Sequence, residues 1–290
     1  MRSRTALLTI AAALSLSSQA AIAQFTAYGL TRNPLGVQQL VRFNTSNPAA
    51  ATVVGATGAS LIAMDFRPST GALIATDGSG LFSINLATGA ATRTAVLTTS
   101  IGVPLAFDVN PTVDRVRMIS ASGVNLRVNP NTGDAIVDGP YRYGAGDPNA
   151  AATPSFTAAG YTNSDNDPNT GTTLFAIDEP LGTLVRIASP NGGDVFTVGS
   201  LGLGRLAGVT GFDIVTVGLM NSAFITTMNM GMSRFYALNL DTGAASLAGT
   251  FNGMGVEALA IQTVPEPSTV ALLGVGLCGL VFAARRRATR

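Results

Sequence analysis

The sequence predicts an all-β fold, and within that class a β-propeller of five four-stranded blades. Three observations carry the prediction. Short apolar runs rich in β-branched and aromatic residues recur at strand length, separated by Gly, Asn, Asp, Pro and Thr, and no stretch between the two ends sustains a 3.6-residue period. A hairpin motif repeats: "LFSINLATGAAT" from Leu81, "NLRVNPNTGDAI" from Asn125 and "RFYALNLDTGAAS" from Arg234 each end a strand at Asn85, Asn129 or Asn239 and then turn through Thr-Gly. A strand pair precedes the hairpins, most clearly in "LIAMDFRPSTGALIATD" (61–77) and "LAFDVNPTVDRVRMIS" (105–120), which share an apolar strand, an Asp, a Pro turn and a second strand.

Taken in order, four complete units cover 57–98, 99–138, 153–200 and 207–252. Within each, Asn or Asp opens the turn with a side-chain acceptor and Gly supplies the positive φ that closes it. "LVRIASPNGGDVF" from Leu184 and "QLVRFNTSNPAAAT" from Gln39 are degenerate copies of the hairpin. The fifth unit is split. Its later three strands fall near Phe25–Thr31, Gln39–Asn44 and Ala51–Val54, and its first strand is "VEALAIQT" (256–263). A strand from one end completing an incomplete blade at the other closes a propeller and removes its exposed edges. Residues 139–156 leave room for further strand, so a six-bladed ring or an irregular β-sandwich stays open as an alternative.

The two ends are address labels. Arg2 and Arg4 precede an apolar stretch from Ala6 to Leu16 and a small-x-small site at Ala21 and Ala23, which predicts a signal peptide over 1–23 with cleavage before Gln24. The exported domain, 24–263, then holds 11 arginines and 15 acidic residues. This mildly acidic balance lacks the basic field that nucleic-acid binding needs. The one cysteine, Cys278, lies in the tail, and the chain has no histidine, which excludes His-based triads and histidine metal sites. No catalytic residue is assigned.

At the C-terminus, Pro265-Glu266-Pro267-Ser268-Thr269 precedes 15 apolar residues, 270–284, and then Arg285, Arg286 and Arg287. As a helix that run reaches about 23 Å, short of the roughly 30 Å of a bilayer core, and the arginines place the C-terminus on the cytoplasmic side. The three parts in this order resemble the PEP-CTERM sorting signal of Gram-negative bacteria, over 264–290. The resemblance implies transient anchoring in the inner membrane, processing by a membrane protease of the exosortase type, and delivery to the cell surface or extracellular polysaccharide. The body, best at "NPTVDRVRMISASGVNLRVNPNTGDAIVDG" (110–139) and "YGAGDPNAA" (143–151), resembles an uncharacterised bacterial family of exported β domains catalogued only as a domain of unknown function. No activity comes with it.

Three sets of residues are candidate sites. Asp65, Asp108 and Asp213 share one repeat position in innermost strands, with Tyr161 and Ala260 as the counterparts elsewhere; they would hold a cation or polar ligand in the channel, or else accept backbone hydrogen bonds between blades. Asp165, Asp167 and Asn169 alternate as calcium ligands do, although the spacing departs from an EF-hand loop; a polar turn is the other reading. Arg115, Arg117 and Arg127, with Tyr141, Arg142 and Tyr143 downstream, suit an acidic polysaccharide, unless they pair with Asp108, Asp114, Asp134 or Asp138. The function expected is a non-enzymatic surface or matrix protein with exopolysaccharide as partner. The alternative is a calcium-dependent propeller hydrolase or lactonase using the channel aspartates.

Overall fold

Twenty-one strands and, among the described residues, no helix make up the structure, a computed structural model that describes residues 24–102, 105–165, 167, 169–203 and 208–262. The expected signal peptide, the sorting motif and the apolar run 270–284 lie outside them. Among the described residues no helix is long and apolar enough to cross a membrane.

The strands form five small sheets arranged as the blades of a propeller. Blade 1 contains β1 (Thr26–Arg32), β2 (Gln38–Asn44) and β3 (Asn47–Ala56). Blade 2 is β4 (Ala63–Arg67), β5 (Ala72–Thr76), β6 (Gly80–Ile84) and β7 (Ala91–Val96). Blade 3 is β8 (Leu105–Asn110), β9 (Arg115–Ser120), β10 (Asn125–Val128) and β11 (Ala135–Val137). After β12 (Arg142–Tyr143) come the strands of blade 4: β13 (Phe156–Tyr161), β14 (Leu174–Asp178), β15 (Thr183–Ser189) and β16 (Asp194–Ser200). Blade 5 is β17 (Val209–Val217), β18 (Met220–Asn229), β19 (Met232–Leu238) and β20 (Ala245–Thr250). The last strand, β21 (Ala258–Ile261), returns to blade 1 and pairs with β1, Ala27 opposite Ile261 and Leu30 opposite Ala258. The expected five blades and the split unit are both present. Residues 139–156 do hold extra strand, but as an outer edge rather than a sixth blade: β12 joins blade 4 parallel to β16.

The repeated turn has a double reason for its glycine. In each copy the Asn side chain accepts from amides of the turn, Asn85 from Ala87 and Thr88, Asn239 from Asp241 and Thr242. Gly89, Gly133 and Gly243 follow with φ of 78°, 80° and 77°. A Cβ at Gly133 would also run into the Val96 carbonyl of the preceding blade. The turn thus lies flush on its neighbour, and the Thr98 amide donates to the Gly133 carbonyl across that contact.

Five apolar clusters fill the five blade boundaries. Alternation along each inner strand sends one set of side chains toward the preceding blade and the next set toward the following one. The boundary that closes the ring, between blades 5 and 1, is the most aromatic: Phe43 meets Phe251 and Phe235 edge-on at 4.9 and 5.4 Å, and Phe235 stacks on Phe224 at 5.2 Å. Such pairs add to area burial. The two ends of the ring meet directly, the Gln262 amide donating to the Thr26 carbonyl at 2.9 Å. The start of β1 and the end of β21 therefore lie together on one rim of the ring.

Candidate functional site

The hub of the ring is built by β4, β8, β13, β17 and β21, each packed on the next. Asp65, Asp108 and Asp213 stand on three of them, and all three are buried. The carboxylate oxygens gather within 4.8 Å of one another. Each side chain also reaches forward to the following blade: the Val109 amide donates to Asp65 Oδ2 at 2.9 Å, the Tyr161 amide to Asp108 Oδ1 at 3.2 Å, and the Ile261 amide to Asp213 Oδ2. Among the described residues no arginine forms a salt bridge with these three buried acids, and they resist ionisation together. Burial pushes Asp213 up to about 7. Burial, then the charge of Asp213, raises Asp65 well above the carboxylate range. Burial, then Asp65 and Asp213, does the same to Asp108.

This stitching corrects the repeat alignment by one residue. The amide after the equivalent position donates the bond in each case, so the blade 4 counterpart of the aspartates is Gly160, and Ala260 is that of blade 1. Tyr161 belongs to the opposite face of β13, which turns it toward blade 3. A bulge between Phe156 and Ala158 obscures the register in the sequence. Beside the hub, a cavity of about 20 Å3 is lined by Ala63, Phe107, Thr157 and Gly211 among others.

The calcium candidates Asp165, Asp167 and Asn169 sit on the loop between β13 and β14. Their oxygens turn onto the loop itself: Asp165 Oδ1 accepts from the Asp167 amide, and Asp167 Oδ1 from the Asn169 amide and side chain, each at 2.9 Å. The loop is far in sequence from the hub aspartates and does not join them in one cluster.

Arg115, Arg117 and Arg127 do come together. They line one cleft of about 580 Å3 at the boundary of blades 3 and 4, together with Asn110, Tyr161, Pro190 and Asn191. Arg117 is its buried floor, 3% exposed. It donates to Asn125 Oδ1 at 2.6 Å, to Asp138 at 2.7 Å and to Asn191 Oδ1 at 2.7 Å, tying three segments into one wall. Arg127 holds the same carboxylate with two bonds, Nε to Oδ2 at 2.7 Å and Nη2 to Oδ1 at 2.9 Å. Burial would raise Asp138, but hydrogen bonds from Arg127 and Arg117 outweigh it and keep the carboxyl below its usual range. Arg115 is exposed, and its guanidinium donates to the Asp114 carbonyl at 3.1 Å. The Asp114 carboxylate is held instead by Arg67 of blade 2 and by Ser69.

The tyrosines expected beside these arginines do not line the cleft, although Tyr141 shares the Asn125 Oδ1 acceptor with Arg117 from the core side. β12 presents Arg142 to solvent and turns Tyr141 and Tyr143 into the core, where Tyr141 donates to Asn125 Oδ1 and Tyr143 to Asp178 Oδ2. The aromatic half of the proposed patch is therefore packing, set by the two-residue alternation of an edge strand. Asn110, Asn191 and Tyr161 were not foreseen as lining residues. Asn191 occurs in "SPNGGD", where the sequence marks only another turn.

Fold and hub together define a five-bladed β-propeller closed by a strand from its own C-terminus. Comparison with known families matches residues 39–260 to the family described as Domain of unknown function (DUF4394), more than half of the chain, and the chain belongs to that family. Residues 263–287 match the PEP-CTERM protein-sorting motif, which marks an exported protein sorted through an exosortase. No curated protein matches. Similar solved structures include a structural genomics protein of unknown function from Bacteroides thetaiotaomicron VPI-5482, at 15% identity and TM-score 0.47, covering 68% of this chain and 52% of that one. TolB from Acinetobacter baumannii aligns at 12% identity and TM-score 0.43, over 83% and 67% of the two chains. A putative TolB from Agrobacterium tumefaciens aligns at 9% and 0.37, over 81% and 93%. The chain thus spans about half the length of the first of these.

Proposed function

We propose that the protein is a non-enzymatic component of the cell surface or extracellular matrix that associates with exopolysaccharide. In this reading it is held for a time in the inner membrane of a Gram-negative bacterium by the run 270–284, and an exosortase-type protease releases it. The observation that carries the binding part is the cleft between blades 3 and 4: an acidic domain gathers guanidinium groups there, over a floor held rigid by Arg117 and Asp138. Ligand sites are commonly concave and of this size. The test is co-sedimentation of the purified propeller, residues 24–262, with matrix polysaccharide from the producing strain. Retention that a mild salt wash survives supports the reading, and a propeller left wholly in the supernatant refutes it.

A second reading, a calcium-dependent hydrolase or lactonase at the hub, draws on the three carboxylates whose oxygens lie within 4.8 Å of one another. Two observations weigh against it: each carboxylate already serves a backbone amide, and the adjoining cavity of about 20 Å3 has no room for an organic substrate. Calcium content and melting temperature with and without chelator test it. Loss of one tightly held calcium with a large drop in melting temperature would revive it.

A further inference from the structure

We propose that the cleft between blades 3 and 4 takes a glycan in which single acidic sugars are spaced among neutral ones, with Arg115 receiving the acid group. This deepens the exopolysaccharide reading and rests on it. The argument starts from the charges. Arg67 stands on blade 2 and Arg115, Arg117 and Arg127 on blade 3, and among the described residues their salt bridges go to Asp114 and Asp138. Asp138 is shared by two guanidiniums, and Asp114 is held by Arg67 and Ser69. Among the described residues Arg115 makes no salt bridge, so its remaining donors face the open cleft. An exposed arginine whose neighbouring carboxylate is engaged elsewhere is a ready partner for a planar carboxylate.

The rest of the domain argues for sparse charge on the ligand. With these four arginines and two aspartates set aside, the exported domain keeps seven arginines against 13 acidic residues. A contiguous polyanion lying across the surface would be repelled outside the cleft, whereas one acid group inserted at Arg115 is not. Beside Arg115 the cleft offers apolar surface for the neutral faces of sugar rings, from Val113, 56% exposed, and from Pro190. Arg117 is closed to the ligand, because it is only 3% exposed and four of its five N–H donors go to Asp138, Asn125, Asn191 and Tyr161. It is a positioning residue that fixes the distance between the two walls.

The experiment uses residues 24–262, which contain all five blades and the strand that closes them. Calorimetric titration compares xylotriose with the same trimer bearing one glucuronic acid branch. The branched trimer is expected to bind about tenfold or more tightly, the scale of a charge-assisted hydrogen bond in a cleft. Arg115→Gln should erase that difference. Arg142→Gln, which alters a solvent-exposed pair with Asp194 on another strand, should leave it. Equal binding of the two trimers, or a difference that survives Arg115→Gln with melting unchanged, would overturn the proposal. So would tighter binding of an oligogalacturonate or a short single-stranded DNA, since both carry contiguous charge. If matrix polysaccharide binds while the branched trimer does not, the inference fails and the broader reading stands; if neither binds, both fail.

Discussion

The hub aspartates make stability fall as pH rises, and Asp213→Asn isolates the effect. The Asp213 carboxyl titrates at about 7 in the folded protein, against 3.8 when unfolded, because burial disfavours its charge. Between those values the folded chain keeps a proton that the unfolded chain has released, so stability decreases with pH across this window. A difference of roughly three pKa units at about 1.36 kcal/mol each gives about 4 kcal/mol, fully present below pH 4 and lost by pH 7. Asparagine keeps an oxygen for the Ile261 amide and has no charge to bury. Urea unfolding of residues 24–262 at pH 4.5, 5.5, 6.5 and 7.5, with chelator throughout, measures both slopes. The parent domain should lose stability steadily, and the variant should lose less, ending more stable than the parent at pH 7.5. A parent whose stability is flat or rises over this range would refute the reasoning, as would a variant that shares the parent's slope.

Three further outcomes follow from the packing. Gly133→Ala places a Cβ against the Val96 carbonyl at a φ of 80°, and should cost about 1–3 kcal/mol in chemical unfolding. Asp138→Ala strips the buried Arg117 of its carboxylate and should cost about 3–5 kcal/mol in the same assay, while also weakening cleft binding. Truncation after Gly255 removes β21, leaving β1 as an unpaired inner edge; gel filtration should then show aggregation, and a peptide of residues 256–263 in excess should restore a monomer.

Much of the architecture was legible because its signals are local. Asn85, Asn129 and Asn239 mark turns by a mechanism confined to five residues, and the repeated Asp65 and Asp108 motifs align without gaps. Blade 4 was the hardest to read, and for physical reasons. Its bulge at Thr157 shifts the register, so Tyr161 looked like a hub position that Gly160 occupies. Its extra strand is two residues long and pairs with β16 alone among the described strands, too little to leave a pattern. The cleft was half legible: Arg115, Arg117 and Arg127 follow from spacing on adjacent strands, but Asn191 arrives from 74 residues beyond Arg117. Nothing local to "SPNGGD" distinguishes a turn that faces a neighbouring blade from one that faces water.

The placement of the closing strand also imposes a schedule. Because β1 pairs with β21, the first segment of the domain to be made has no inner partner until the last segment arrives. In sequence Ile261 precedes Pro265 by four residues, so the sorting motif is the next thing the translocating chain presents. An exported ring can close only when that motif is about to emerge, and a cut at the motif severs nothing the ring needs. Completion of the fold and readiness for sorting are thus tied to the same few residues, and a chain that stalls short of them is both open and unaddressed.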